Sequence, residues 1–372
     1  GVMGAAAYDR AEERKVELLK ANGFNAVRCA HNPPAPAFLD ACDRLGMLVI
    51  DEAFDCWRDG KRRYDYHVNF DDWWQRDMDS MLYRDRNHPA IIMWSIGNEL
   101  VERGRPEGSD IAHMLADRVR AVDPTRPVTV ALCAPWGEEW SWPQLDVTFS
   151  AVDVCGYNYQ QKQYQADHER RPERIIYGSE STAREAFEHW MSVLEMDSVI
   201  GDFVWTALDY VGEAGIGRVH SEGTQEVPHL GAYPWHQANC GDLDLCGFKR
   251  PQSYYRDVLW KRGDPLYIAV HSPTLAGKTP GITYWGWPDV WPNWTWPDHE
   301  DQAFTVDVYS ACERVELFLN GESLGVRPTT RRERFSATFT VDYRPGVLKA
   351  MGYAEAGIEP PNNGDGEDLS SV

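Results

Sequence analysis

The sequence predicts an α/β barrel one strand short of closure, followed by a small all-β sandwich. Two patterns carry this. From residue 9 to about 262, short β-branched runs alternate with longer amphipathic stretches. Such alternation means parallel strands joined by helical crossovers. From residue 303 the apolar period shortens to two, and Asn320-Gly321 falls between alternating runs, a strong hairpin signal.

The strand candidates are 25–31, 47–54, 91–99, 128–133, 152–159, 174–180 and 200–206, with helical stretches at 10–22, 38–45, 70–87, 110–122 and 182–196. Eight strands close a (β/α)8 TIM barrel. The seven found here leave a barrel lacking its first strand, which would precede residue 1. The opening Gly-Val-Met-Gly-Ala-Ala-Ala accordingly reads as the middle of a longer polypeptide. An open doubly wound sheet shares the alternation, but no G-x-G-x-x-G follows any strand. Residues 212–259 read as a long loop and a closing helix, 253–260. The expected domains are therefore a barrel over 1–265, a Trp- and Pro-rich connector over 266–302 and a β domain over 303–357. The tail over 358–372, with Pro-Pro-Asn-Asn-Gly-Asp-Gly-Glu-Asp, is expected to be disordered.

Composition narrows the partners. With 58 acidic and 37 basic residues the net charge is −21, which disfavours nucleic acid and anionic membrane surfaces. No apolar run approaches the ~20 residues of a membrane-spanning helix. The 16 Trp and 17 Tyr offer flat faces with a polar handle, suited to sugars as well as to core packing. The eight Cys form no C-x-x-C pair and read as small buried hydrophobes. Cys240 and Cys246 near His236 come nearest to a metal set, and no metal site is expected. No H-E-x-x-H occurs either.

In a parallel barrel the chemistry sits at the C-terminal ends of the strands. Those ends carry His31, Asp51-Glu52, Asn98-Glu99, Tyr157 or Tyr159, Glu180 and Trp205. Glu99 and Glu180 each end an otherwise apolar strand. A lone Glu there also serves as a helix cap, but two on one rim point to a shared cleft. Paired carboxyl groups are what glycoside hydrolysis requires, one neutral to protonate the leaving oxygen and one anionic at the anomeric carbon.

Four blocks then carry a family resemblance. Gly23-Phe-Asn-Ala-Val-Arg28-Cys-Ala-His31-Asn-Pro33, Cys42-Asp-Arg-Leu-Gly-Met-Leu-Val-Ile-Asp51-Glu52-Ala, Asp85-Arg-Asn-His-Pro89 running into Trp94-Ser-Ile-Gly-Asn98-Glu99, and Gly201-Asp-Phe-Val-Trp205-Thr resemble glycoside hydrolase family 2. The family includes β-galactosidases, β-glucuronidases and β-mannosidases. The stretch 308–325 looks like the immunoglobulin-like domain that follows the barrel in bacterial members.

The resemblance implies a retaining β-glycosidase with Glu99 as general acid/base and Glu180 as nucleophile. It implies Asn98 on the sugar 2-hydroxyl, His31 on other hydroxyls and Trp205 as a platform. Tyr159 would hydrogen-bond the nucleophile, with Tyr157 the competing choice, and Arg28 would support the nucleophile by charge. Asp51 and Glu52 read as structural. Asp209 and Glu213 are either hydroxyl contacts or plain surface loop. β-Glucuronidases of the family use Asn-x-Lys to read a carboxylate, and none occurs here, so a neutral glycone, galactose first, is expected. No organic cofactor is implied, and Mg2+ or Na+ stays open. The expected partner is a glycoside or oligosaccharide, and a homo-oligomer stays open. Two rivals remain: a non-catalytic carbohydrate-binding remnant, and a cellulase- or mannanase-like enzyme of the same clan.

Overall fold

The computed structural model describes residues 7–136, 141–220, 230–263, 266–275, 280–300 and 302–354. Contacts divide the chain after Trp205 into two compact units, whereas the sequence placed the boundary at 265.

In the first unit β1 (Ala26–Cys29), β2 (Leu48–Glu52), β3 (Ile91–Asn98), β4 (Val128–Leu132), β5 (Val154–Asn158), β6 (Ile176–Ser181) and β7 (Val199–Val204) pair in chain order. Each pairing is parallel. β1 and β7 also approach one another, so the seven-stranded sheet curls into a nearly closed barrel. Helix α1 (Asp9–Ala21) precedes β1, and α2 (Pro36–Leu45), α3 (His67–Asp85), α4 (Pro106–Val122), α5 (Asp146–Phe149), α6 (Tyr164–Arg170) and α7 (Ala186–Glu195) fall between successive strands. α2 and α4 each start on proline, where the missing N–H costs nothing and φ is already helical.

Alternation decides what the barrel interior contains. Ile50, Met93, Val154 and Tyr177, one from each of four strands, form an interior cluster. Two residues further on, the same parity delivers Glu52 and Ser95, whose side chains meet (Ser95 Oγ donates to Glu52 Oε2, 2.6 Å). Near the strand ends the register slips, between Ser95 and Asn98, between Tyr157 and Asn158, and between Gly178 and Ser181. A bulge adds a residue and re-aims the side chains beyond it. Gly97 lies inside the first of these, where a Cβ would stand 2.9 Å from the Trp57 indole nitrogen. That indole donates to the Ile96 carbonyl (3.0 Å), tying the loop after β2 to β3.

The second unit contains β8 (Val219–His220), α8 (Pro251–Trp260), β9 (Leu266–His271), β10 (Gly281–Ile282), β11 (Val290–Trp291), β12 (Ala303–Ser310), β13 (Arg314–Leu319), β14 (Glu322–Pro328), β15 (Ser336–Asp342) and β16 (Leu348–Tyr353). One sheet runs β11-β9-β12-β15 and the other β14-β13-β16, while β8 and β10 form a two-stranded pair. The stretch 266–302 is therefore not a connector. β9 pairs along β12 from Leu266–Ser310 to Val270–Val306, and Trp294 is buried in the same core as Phe304, Val306, Leu317 and Phe339. The Pro and Trp density masked a short strand, and of the tryptophans there Trp294 is a core residue with Trp296 packed against it, while Trp291 is exposed. The 358–372 tail lies outside the described residues. Among those described, no helix is long and apolar enough to cross a membrane.

Leu317 is fully buried in the sandwich core, while Val326 on β14 is half exposed. Leu317→Ala should cost about 2–5 kcal/mol in urea unfolding through the cavity it leaves. Val326→Thr should stay within about 0.5 kcal/mol. Equal losses would contradict this core assignment.

Candidate active site

Arg28, inward on β1, is the hub. Its Nε and Nη2 donate to the two oxygens of Glu52 (3.0 and 2.9 Å). Nη1 donates to Glu180 Oε1 (2.9 Å) and the Ser179 carbonyl (3.2 Å), and Nη2 also reaches Asn98 Oδ1 (2.8 Å). All four side chains are buried. Burial works against the Glu52 charge, but Arg28, His31 and Ser95 outweigh it and hold the carboxyl down to about 2. Glu180 has the opposite balance. Burial pushes its pKa above the ordinary 4.5, with Arg28 pulling back, Glu99 adding like-charge repulsion, and His31 and Tyr159 opposing. Burial and charge neighbours are two of the three causes that shift a carboxyl group.

Glu99 joins through amides. Asn158 Nδ2 donates to Glu99 Oε1 and to Asn98 Oδ1 (both 3.0 Å), and Ser179 Oγ donates to Asn158 Oδ1 (2.6 Å). A continuous path thus runs Glu180–Arg28–Asn98–Asn158–Glu99. The Cys133 thiol also sits against Glu99. Burial, and then the charge of that carboxylate, pushes the thiol up, so it stays protonated beside Glu99.

Three residues of the site sit in the left-handed region without being glycine: His31 (φ 75°), Glu99 (φ 45°) and Tyr159 (φ 57°). Glu99 and Tyr159 directly follow β3 and β5, and His31 stands two residues past β1. Such conformations cost about 1–3 kcal/mol each and gather at functional sites. Here they swing side chains over the barrel mouth. Tyr159 OH donates to Glu180 Oε2 (2.7 Å), and the His31 ring stacks on Trp205 with centroids 4.9 Å apart.

The sequence-derived residues divide clearly. Arg28, His31, Asn98, Glu99, Tyr159, Glu180 and Trp205 come together. Tyr157 does not. It alternates to the outer side of β5, stacks on Phe149 and donates to Asp167 (2.5 Å). Asp209 lies in the second unit, fully buried, accepting from the Gly241 N–H (2.8 Å) and pairing with Arg250. Burial pushes its pKa up to about 6 despite both partners. With both oxygens so engaged it has no hydroxyl to meet. Glu213 accepts from Tyr210 in the same unit. Glu52, read as structural, belongs to the network, while Asp51 alternates away toward Asp85. Asn158 was missed; its interior parity on β5 was the available signal. Cys240 is buried and Cys246 exposed, and among the described residues no group of three His, Cys, Asp or Glu is arranged for a metal. The second unit also carries an open pocket of about 1000 Å³ lined by Trp235, Tyr254, Tyr267, Trp287 and Trp291.

Residues 4–220 match the description "Glycosyl hydrolases family 2, TIM barrel domain". The chain belongs to glycoside hydrolase family 2. Among family 2 structures, one from Bacteroides cellulosilyticus is 48% identical, with a TM-score of 0.87 over 96% of this chain and 45% of that one. A β-galactosidase of Bacteroides ovatus is 28% identical over 94% of this chain and 45% of its own length. A putative β-glucuronidase of Formosa agariphila is 29% identical over 91% of this chain and 34% of its own. The chain thus spans less than half the length of these relatives. Residues 301–359 match a domain of unknown function.

Three outcomes follow from the network. Arg28→Met strands the Glu52 and Glu180 charges in the interior and should cost about 3–5 kcal/mol in urea unfolding. Glu52 is held below its ordinary 4.5, so its contribution is complete above pH 4.5 and is lost as pH falls through about 2. Unfolding of wild type and Glu52→Gln should therefore converge toward pH 2. Glu180 is shifted the other way, so activity requiring its anion should show an acid limb in kcat/KM above pH 4.5. Tyr159→Phe removes a hydrogen bond to that anion and should move the limb higher. A limb unmoved or lowered by Tyr159→Phe would contradict the assignment.

Proposed function

We propose that this chain carries the catalytic centre of a retaining β-glycosidase acting on a neutral glycone, galactose first. The observation behind the reading is the buried path that ties Glu180 and Glu99 to shared donors. Glu180 attacks the anomeric carbon as an anion, and Glu99 gives its proton to the departing glycosidic oxygen. A covalent glycosyl ester on Glu180 results. Glu99, now a carboxylate, takes a proton from water as that water attacks the same carbon, and Glu180 leaves as the anion. Arg28 and Tyr159 hold Glu180 in position through both oxygens, and Asn98 takes the 2-hydroxyl. Trp205, steadied by His31, supports the ring.

Relatives named β-galactosidase and β-glucuronidase both occur. The neutral glycone is favoured by the absence of Asn-x-Lys and by a chain charge of −21, which offers little to an anionic sugar. In the natural protein, Glu180→Gln should lower kcat on an aryl β-galactoside by at least about 10³-fold. Glu99→Ala should be rescued by azide, yielding the β-galactosyl azide. Near-normal turnover with Glu180 replaced, or azide rescue giving the α-anomer, would overturn the reading.

A further inference from the structure

Asn98 is oriented with its two ends in different company. Its Oδ1 faces Arg28 and Asn158, the residues that also hold Glu180 and Glu99. Its Nδ2 donates the other way, to Asp55 Oδ1 (3.1 Å). That same oxygen accepts from Lys61 Nζ (2.7 Å), and His31 Nδ1 stands 3.6 Å from it. Asp55 Oδ2 takes no hydrogen bond among the described residues, and the side chain is 37% exposed. The Lys61 side chain is only 15% exposed, and one of its three N–H donors is used on Asp55.

The loop that presents this pair is fixed. Trp57 is bonded to the Ile96 carbonyl, and the Asp59 N–H donates to Glu102 (2.6 Å). Gly60 lies so close to the His67 ring that a Cβ would fall 2.3 Å from Nδ1. Lys61 therefore enters from a welded loop, pre-organised for binding.

We propose, resting on the hydrolase reading above, that Asp55 and Lys61 form the recognition pair for the glycone 3-hydroxyl. A ring with its anomeric carbon at the carboxylates and its 2-hydroxyl at Asn98 directs the next hydroxyl toward the Nδ2 side, where the pair lies. Asp55 Oδ2 accepts the hydroxyl proton, and Lys61 donates to the hydroxyl oxygen. The pair is neutral as a unit and matches a group that donates and accepts together. A half-buried polar pair left without its hydroxyl is costly, which is how such sites reject deoxy analogues.

The test compares kcat/KM for 4-nitrophenyl β-D-galactoside with its 3-deoxy and 6-deoxy counterparts, in wild type, Lys61→Met and Asp55→Ala. Wild type should lose at least about a hundredfold on the 3-deoxy substrate. Both variants should narrow that penalty to under about tenfold while leaving the 6-deoxy penalty unchanged. Each penalty is a ratio within one sample, so partial misfolding cancels. An equal 3-deoxy penalty in wild type and variants, or a change confined to the 6-deoxy substrate, overturns the proposal. Wild type that cleaves neither the parent nor any other aryl β-glycoside removes the hydrolase reading itself, and the two failures are distinct.

Discussion

One buried guanidinium organises the barrel mouth. Arg28 serves Glu52, Glu180 and Asn98 at once, on four strands including its own. Two buried carboxylates share this cation, and the consequences are unequal. Glu52 receives two charge-assisted bonds, one from Ser95 and one from the His31 N–H, and is fully ionised. Glu180 receives one from Arg28 and one from Tyr159 and stays closer to protonation. Bonds to charged groups contribute roughly twice what neutral ones do. Total stability is only about 5–15 kcal/mol, so this cluster represents a large share of what keeps the strand ends in register.

The scaffold reaches that arrangement by departing from regular strands where it matters. Strict alternation would send Ser179 and Glu180 to opposite faces of β6. The slip between Asn158 and Glu180 pairs those two directly, so Ser179 and Glu180 both contribute to the interior network. On β3 the slip before Asn98 and the left-handed backbone at Glu99 do the same for Asn98 and Glu99. The buried network is thus built on strain that the surrounding barrel over-determines.

Much of this was legible beforehand. The strand count, the parallel order and the converging Glu99 and Glu180 followed from periodicity, strand-end positions and motif resemblance. Where the reading failed, the cause is identifiable. Tyr157 and Tyr159 differ by two residues and look interchangeable as letters, but a backbone turn at Tyr159 separates them in space. Asp209 was judged by its place after Trp205, and burial against Arg250 is invisible at that level. Glu52 was read as structural, and its buried ion pair with Arg28 is compatible with that. The sandwich strand at Leu266–His271 was hidden by the Pro- and Trp-rich sequence that follows it.

The account stands on Glu180 and Glu99 serving a single anomeric carbon. A crystal structure of the natural protein after reaction with a 2-deoxy-2-fluoro-β-galactosyl fluoride addresses this directly. The expected result is an ester between the anomeric carbon and a Glu180 oxygen, with a Glu99 oxygen about 5–5.5 Å from the ester carboxyl, the spacing of retaining enzymes. A sugar bonded elsewhere, or a Glu99 directed away from the ester, would contradict it.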